Sequence, residues 1–219
     1  SGELSFIAPP NFEDPDDAGD NNVYYVTVQT SDGTFTDNQT LAVTVTDADE
    51  TLTASNEFLV NDEVGDQQIT SAEDRGSTRA VSMAADGSYV VVWTSLNQDG
   101  SGKGVYAQRF SASGAAITTE FRVNETPTND QQWASVSSAF DGTFVVTWTS
   151  NQGTAAEDIY YRRFAANGTA LTGELLANTS TSGTQKNSTI GMNTSTGEFV
   201  IAWQGNGTQS GEIDSAGIF

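Results

Sequence analysis

Apolar and polar residues alternate in short bursts along this chain. Examples are Val23-Tyr24-Tyr25-Val26-Thr27-Val28, Leu41-Ala42-Val43-Thr44-Val45, Tyr89-Val90-Val91-Val92-Trp93 and Phe144-Val145-Val146-Thr147-Trp148. A period of two sends successive side chains to opposite faces of a strand, and Val, Thr, Tyr and Trp fit a pleated surface. Asp32-Gly33, Asp86-Gly87 and Asp141-Gly142 separate such runs. Asp-Gly is a strong hairpin signal because Gly takes positive φ without steric cost. No stretch carries a 3.6-residue period, so the expected fold class is all-β.

A repeat governs residues 56–219. Trp93, Trp148 and Trp203 stand 55 residues apart, and Gly87, Gly142 and Gly197 keep the same step. Glu57-Phe58-Leu59-Val60-Asn61 recurs as Glu120-Phe121-Arg122-Val123-Asn124 and as Glu174-Leu175-Leu176-Ala177-Asn178. Polar stretches containing Gln follow each copy, at Gln67-Gln68, Gln131-Gln132 and Gln185. After the Trp strand, Val105-Tyr106-Ala107-Gln108-Arg109-Phe110 is echoed by Ile159-Tyr160-Tyr161-Arg162-Arg163-Phe164, and Gly217-Ile218-Phe219 opens a third copy. The first copy has about nine extra residues near Ser71 to Arg79, read as a longer loop.

Each unit reads as four strands, beginning with Glu-Phe-x-Val-Asn. That is the pattern of a β-propeller blade, with a string of small β-sandwich modules as the alternative. Residues 1–50 form a different module, 51–55 a linker, and the blade-like repeats run over 56–119, 120–173 and 174–219, the last of them cut short.

Charge narrows the function classes. The 219 residues carry 29 Asp+Glu against 8 Lys+Arg, with neither Cys nor His, for a formal charge of −21. Nucleic acid and anionic membranes demand the opposite sign. Without Cys and His there is no thiolate nucleophile, zinc ribbon or imidazole base. No apolar run approaches the ~20 residues of a membrane helix. Clustered carboxylates favour hard cations, calcium above all.

Leu4-Ser5-Phe6, Asn11-Phe12-Glu13-Asp14-Pro15-Asp16, Val23 to Val28, Ser31-Asp32-Gly33 and Leu41 to Asp47 resemble, in order and spacing, the C-terminal half of a cadherin-like repeat. The resemblance implies calcium at the module ends. Glu13 then matches the acid of the family's Leu-Asp-x-Glu element. Asp32 matches the second acid of Asp-x-Asp, with Thr30 in the first position, and Asp47, Asp49 and Glu50 match the terminal linker. The blade-like repeats are similar to tandem repeats of large bacterial secreted adhesins and RTX-type exoproteins. That likeness implies an extracellular or cell-surface setting.

Other candidates have plainer readings. The run Glu13, Asp14, Asp16, Asp17 and Asp20 reads equally as a calcium loop or as a solvated acidic loop. Asn97-Gln98-Asp99-Gly100-Ser101-Gly102 lacks the spacing of an EF-hand and reads as a turn. The periodic Trp residues read as core, and Trp133, outside that series, as more exposed. Arg109, Arg162 and Arg163 suit ion pairing with nearby acids. No motif singles out a catalytic pair, so the chain is not expected to be an enzyme. The leading expectation is an adhesive or structural segment of a large calcium-binding bacterial surface or secreted protein, whose partners are its other modules, a surface glycan or a protein ligand. Two alternatives are a self-assembling fibre subunit, its modules completed by strands of neighbouring subunits, and a carbohydrate-binding propeller segment of a secreted exoenzyme.

Overall fold

The computed structural model describes residues 5–6, 10, 12, 17, 19, 21–46, 57–63, 65–70, 79–153, 156–209 and 212–219, with backbone alone for 207–209 and 212–216. It contains strands and no helix among them, so the chain is all-β. Two units divide between Glu57 and Phe58.

In the first unit, β1 (Val23–Ser31) and β2 (Thr36–Thr44) form an antiparallel ribbon, paired from Val23↔Thr44 to Ser31↔Thr36. Asp32-Gly33 makes its turn, as the sequence predicts: Asp32 Oδ1 accepts the N–H groups of Thr34 and Phe35, and Gly33 takes φ 91°. Asp17 closes the other end, its carboxylate accepting the N–H groups of Gly19, Asn21 and Asn22.

The second unit holds three stacked sheets. The first contains β3 (Gln68–Ile69), β4 (Val81–Met83), β5 (Tyr89–Leu96), β6 (Lys103–Phe110) and β7 (Phe121–Arg122). The second is β8 (Gln131–Ser138), β9 (Phe144–Ser150), β10 (Asp158–Phe164) and β11 (Leu175–Leu176). The third is β12 (Gln185–Met192), β13 (Phe199–Gln209) and β14 (Glu212–Ile218). None closes into a barrel.

β3 and β4 lie end to end along β5, where β8 runs unbroken along β9. The extra residues of the first copy therefore interrupt the edge strand of the first sheet; residues 71–78 themselves lie outside those described. Gly217-Ile218-Phe219 pairs with the Trp203 strand, as its likeness to β6 and β10 predicts.

One expectation needs correction. Glu-Phe-x-Val-Asn does not open its own sheet: Phe121-Arg122 pairs with β6 and Leu175-Leu176 with β10, so each segment finishes the sheet before it. The physical reason is the short return from the preceding strand, which brings consecutive strands side by side. It begins with a tight turn closed by the Phe110↔Ala116 and Phe164↔Ala170 bridges.

The core sits between sheets. Val90, Val92, Val105 and Ala107 of the first sheet pack against Val136, Phe144, Val146, Trp148 and Phe164 of the second. The Trp faces of the second and third sheets thus meet the Val face of the sheet before them; Trp93 and Trp148 are buried core, as periodicity predicts, and Trp203 is half-buried. Phe144 stacks on Phe164 at 5.0 Å, and Tyr89 on Phe110 at 5.3 Å.

Candidate functional site: acidic joints between the sheets

Of the five residues matched to calcium ligands, Glu13, Asp47, Asp49 and Glu50 lie outside the described residues. Asp32 is described, and it stands at the ribbon's turn. The other end, where Val45 N–H bonds Asn22 O on the way to Asp47, is nine residue pairs distant, roughly 27 Å of strand. Its two backbone donors, Phe35 N–H first and Thr34 N–H second, hold the Asp32 carboxyl below its ordinary range. Asp86 and Asp141 are lowered in the same way by the Ser88 and Thr143 hydroxyls and N–H groups that cap their own turns. Among the described residues no three acidic side chains converge into a group able to hold a metal ion.

The stacked sheets use carboxylates differently, as joints. Asp62 N–H bonds Glu120 Oε2 at 2.9 Å, while Glu120 N–H returns to Asp62 Oδ2 at 3.3 Å. One repeat later, Glu174 N–H bonds Glu125 Oε2 at 3.2 Å and Thr126 N–H bonds Glu174 Oε2 at 2.9 Å. The acid of each Glu-Phe or Glu-Leu segment thereby ties that segment to its predecessor. Glu125 also pairs with Arg162 at 2.6 Å, fulfilling the expectation of ion pairing for that arginine. Arg109 is buried and donates to Ser88 Oγ at 3.0 Å, its acidic neighbour being Asp86.

Beside the joints, an Asn and a Gln seven residues on fix the backbone. Asn124 Oδ1 accepts Val105 N–H at 2.9 Å, and its Nδ2 donates to Thr126 O and Gln131 Oε1. Asn178 repeats this with Ile159 N–H, Ser180 O and the buried Asp158 carboxylate. The even spacing of Asn61/Gln68, Asn124/Gln131 and Asn178/Gln185 was the signal available in the sequence.

Next to each joint a tyrosine, an acid and a glutamine gather. At the first junction these are Tyr106, Asp99 and Gln98 beside Glu120; at the second, Tyr160, Asp158 and Gln152 beside Glu174. The acid comes from different places. Asp99 reaches from the β5–β6 turn over Gly104, where a side chain would put its Cβ 2.8 Å from Asp99 Oδ2 and 3.1 Å from the Tyr106 ring. In the second repeat the position matching Gly104 is Asp158 itself, and the turn residue matching Asp99 is Gly153. Burial, then the charge of Asp99, pushes the Tyr106 hydroxyl up to about 12. Burial also raises the Asp158 carboxyl, against the Asn178 hydrogen bond.

Trp133 sits at the bulge of β8 with φ 58°, matching Asn187 at φ 57° in β12. Its N–H bonds Thr94 Oγ1 of the preceding sheet at 3.3 Å, and the Asn187 N–H makes the same bond to Thr149 Oγ1 at 3.1 Å.

No protein-family model matches the chain, and no curated protein sequence does. A solved structure, the endo-arabinase of Bacteroides thetaiotaomicron, aligns over 98% of this chain and 78% of its own, with a TM-score of 0.45 and 12% identity. It is a distant likeness from which no activity follows. No helix of the described residues is long and apolar enough to cross a membrane.

Proposed function

We propose that this chain is a non-enzymatic adhesive or structural segment of a large calcium-binding extracellular or cell-surface bacterial protein, with a partial cadherin-like module ahead of blade-like repeats. The observation that supports the reading is how the acids are used. Asp17, Asp32, Asp86 and Asp141 cap their own turns, while Glu120, Glu125 and Glu174 fasten one repeat to the next. Carboxylates bound into backbone joints serve a scaffold. Calcium, on this reading, neutralises the acidic ends of the cadherin-like module through Glu13, Asp32, Asp47, Asp49 and Glu50. Calorimetry of the chain with calcium and with chelator tests it: D32N should lose part of the calcium-dependent rise in melting temperature, and an unchanged rise would defeat the assignment.

A second reading is self-association through the third sheet, as in a filament. Val90, Val145 and Val200 occupy equivalent positions on the Val face, yet they are 1%, 2% and 73% exposed. A face that is core twice and bare the third time is suited to a partner sheet of the same kind. Sedimentation of V200E against wild type checks this. A concentration-dependent assembly abolished by the glutamate supports it, and a monomer at all concentrations sinks it.

A further inference from the structure

The two tyrosine–acid–glutamine clusters share one face of their sheets but differ in how they are satisfied. At the second junction the Tyr160 hydroxyl is hydrogen-bonded to the Gln152 side chain and Asp158 Oδ1 accepts Asn178 Nδ2 at 2.7 Å, which leaves one buried oxygen there, Glu174 Oε1, without a donor. At the first junction Tyr106 is only 6% exposed, and its acidic neighbours Asp99 and Glu120 act on its hydroxyl by charge alone. Asp99 Oδ2 and Gln98 Oε1 are buried there with no hydrogen-bond donor, although Gln98 Nε2 reaches Glu120 Oε1. A buried acceptor without a donor costs about 1–3 kcal/mol, and more if charged. Two such oxygens beside a second carboxylate therefore call for something positive. The nearby guanidinium does not fill that role: Arg122 directs its Nε and Nη2 to the carbonyl oxygens of Asn124 and Glu125.

We infer that the junction between the β5–β6 turn and the Asp62–Glu120 joint binds a hard divalent cation, calcium in an extracellular setting, through Asp99 Oδ2, Gln98 Oε1 and Glu120. The donor set is all oxygen, as calcium requires, and water completes its six to eight ligands. With two carboxylates the affinity belongs to the weak, millimolar class of extracellular modules. The Asn97–Gly102 turn, whose sequence lacks any calcium-loop spacing, supplies two of the ligands because Gly104 leaves room for Asp99 to fold inward. This site is separate from the acidic positions of residues 1–50, so the two readings can fail independently.

Terbium luminescence on the full 219-residue chain tests it, since Tyr106 and its cross-strand partner Trp93 stand ready as sensitisers. The wild type should show aromatic-excited terbium emission that millimolar calcium displaces. D99N/E120Q should need at least about tenfold more terbium, because ligand charge sets affinity in such sites, while D32N should retain the emission. Wild-type emission absent, or equal in D99N/E120Q, overturns the proposal and leaves the buried oxygens to water. Melting keeps the test decisive if the double variant folds poorly. In chelator D99N should melt no lower than wild type, because like-charge repulsion with Glu120 is relieved while the amide oxygen still accepts the Ser101 N–H, and calcium should raise the wild type by more than it raises D99N. A D99N melting point below wild type in chelator, with equal calcium shifts in both, also overturns it.

Discussion

The ribbon of residues 23–44 and the stacked sheets of residues 68–218 are written in the same strand vocabulary, Val, Thr and Tyr in alternation. In the ribbon Tyr25 is 69% exposed and Phe35, Val28 and Leu41 are also exposed; in the stack the matching kinds of residue are core. Alternation makes a strand in both places, but among the described residues a second sheet covers the apolar side only in the stack. A lone two-stranded hairpin is marginal in water, whereas sheet on sheet buries enough apolar area for stability. The stack teaches the same lesson within itself, since Val200 repeats Val145 in sequence and not in burial. Burial here belongs to the pair of sheets, and a strand's own residues do not decide it.

The widest test of that contrast is to truncate one aromatic in each region. Trp148→Ala removes a fully buried ring and should destabilise the stacked unit by about 3–5 kcal/mol. Tyr25→Ala should stay within about 0.5 kcal/mol, as exposed substitutions do. Urea unfolding followed by tryptophan fluorescence and by far-UV dichroism measures both. Equal losses at the two positions would show that the ribbon has a buried face of its own.

The next effect lies in the joints. Asn124→Ala strands the Val105 N–H and the Gln131 amide oxygen inside the core, at a cost of about 1–3 kcal/mol. Asn61→Ala should cost distinctly less, because among the described residues Asn61 bonds the Glu63 carbonyl alone and lies nearer the surface. The two midpoints, compared in urea, separate a clamp between sheets from a local turn bond. Trp133→Asn, which places at the β8 bulge the residue type found at its β12 counterpart, should stabilise by about 1 kcal/mol. A bulky residue at positive φ carries roughly 1–3 kcal/mol of strain, and part of the relief is lost with the ring's packing. A lower melting temperature for this variant would mean that the ring's contacts outweigh the strain.

How much of this was legible beforehand follows from which interactions are local. Hairpins at Asp86-Gly87 and Asp141-Gly142 were readable because the turn residues themselves demand positive φ. The 55-residue Trp period gave the stack and the core role of Trp93 and Trp148. The strand exchange at Phe121-Arg122 was not readable, since a repeat can be cut at any phase and only hydrogen bonding chooses one. Nor was the cluster at Tyr106: its acid sits at Asp99 in one repeat and at Asp158 in the next, so aligning the repeats column by column hides a carboxylate that occupies the same space. Asp17 and Asp32, singled out for charge, turned out to hold backbone N–H groups.

The finest test of the contrast between turn acids and joint acids is pH. Asp32, Asp86 and Asp141 have folded-state carboxyls below 3.8, so their contribution is present above that pH and is lost as pH falls through the lower, folded value. Asp158 runs the other way. Its folded carboxyl is raised above 3.8 by burial, so the charged form is penalised at neutral pH and the penalty vanishes once the group is protonated in both states, below 3.8. Asp158→Asn keeps an oxygen for Asn178 Nδ2 and removes the charge. In metal-free buffer it should therefore melt above wild type at pH 7, and the two curves should converge as pH drops through the window just above 3.8. D86N should show the opposite sign, melting below wild type at pH 7 and meeting it only in stronger acid. If D158N instead lies below wild type at neutral pH, the Asp158 charge is a stabilising partner at the second junction, and the distinction between acids that cap turns and acids buried at joints fails there.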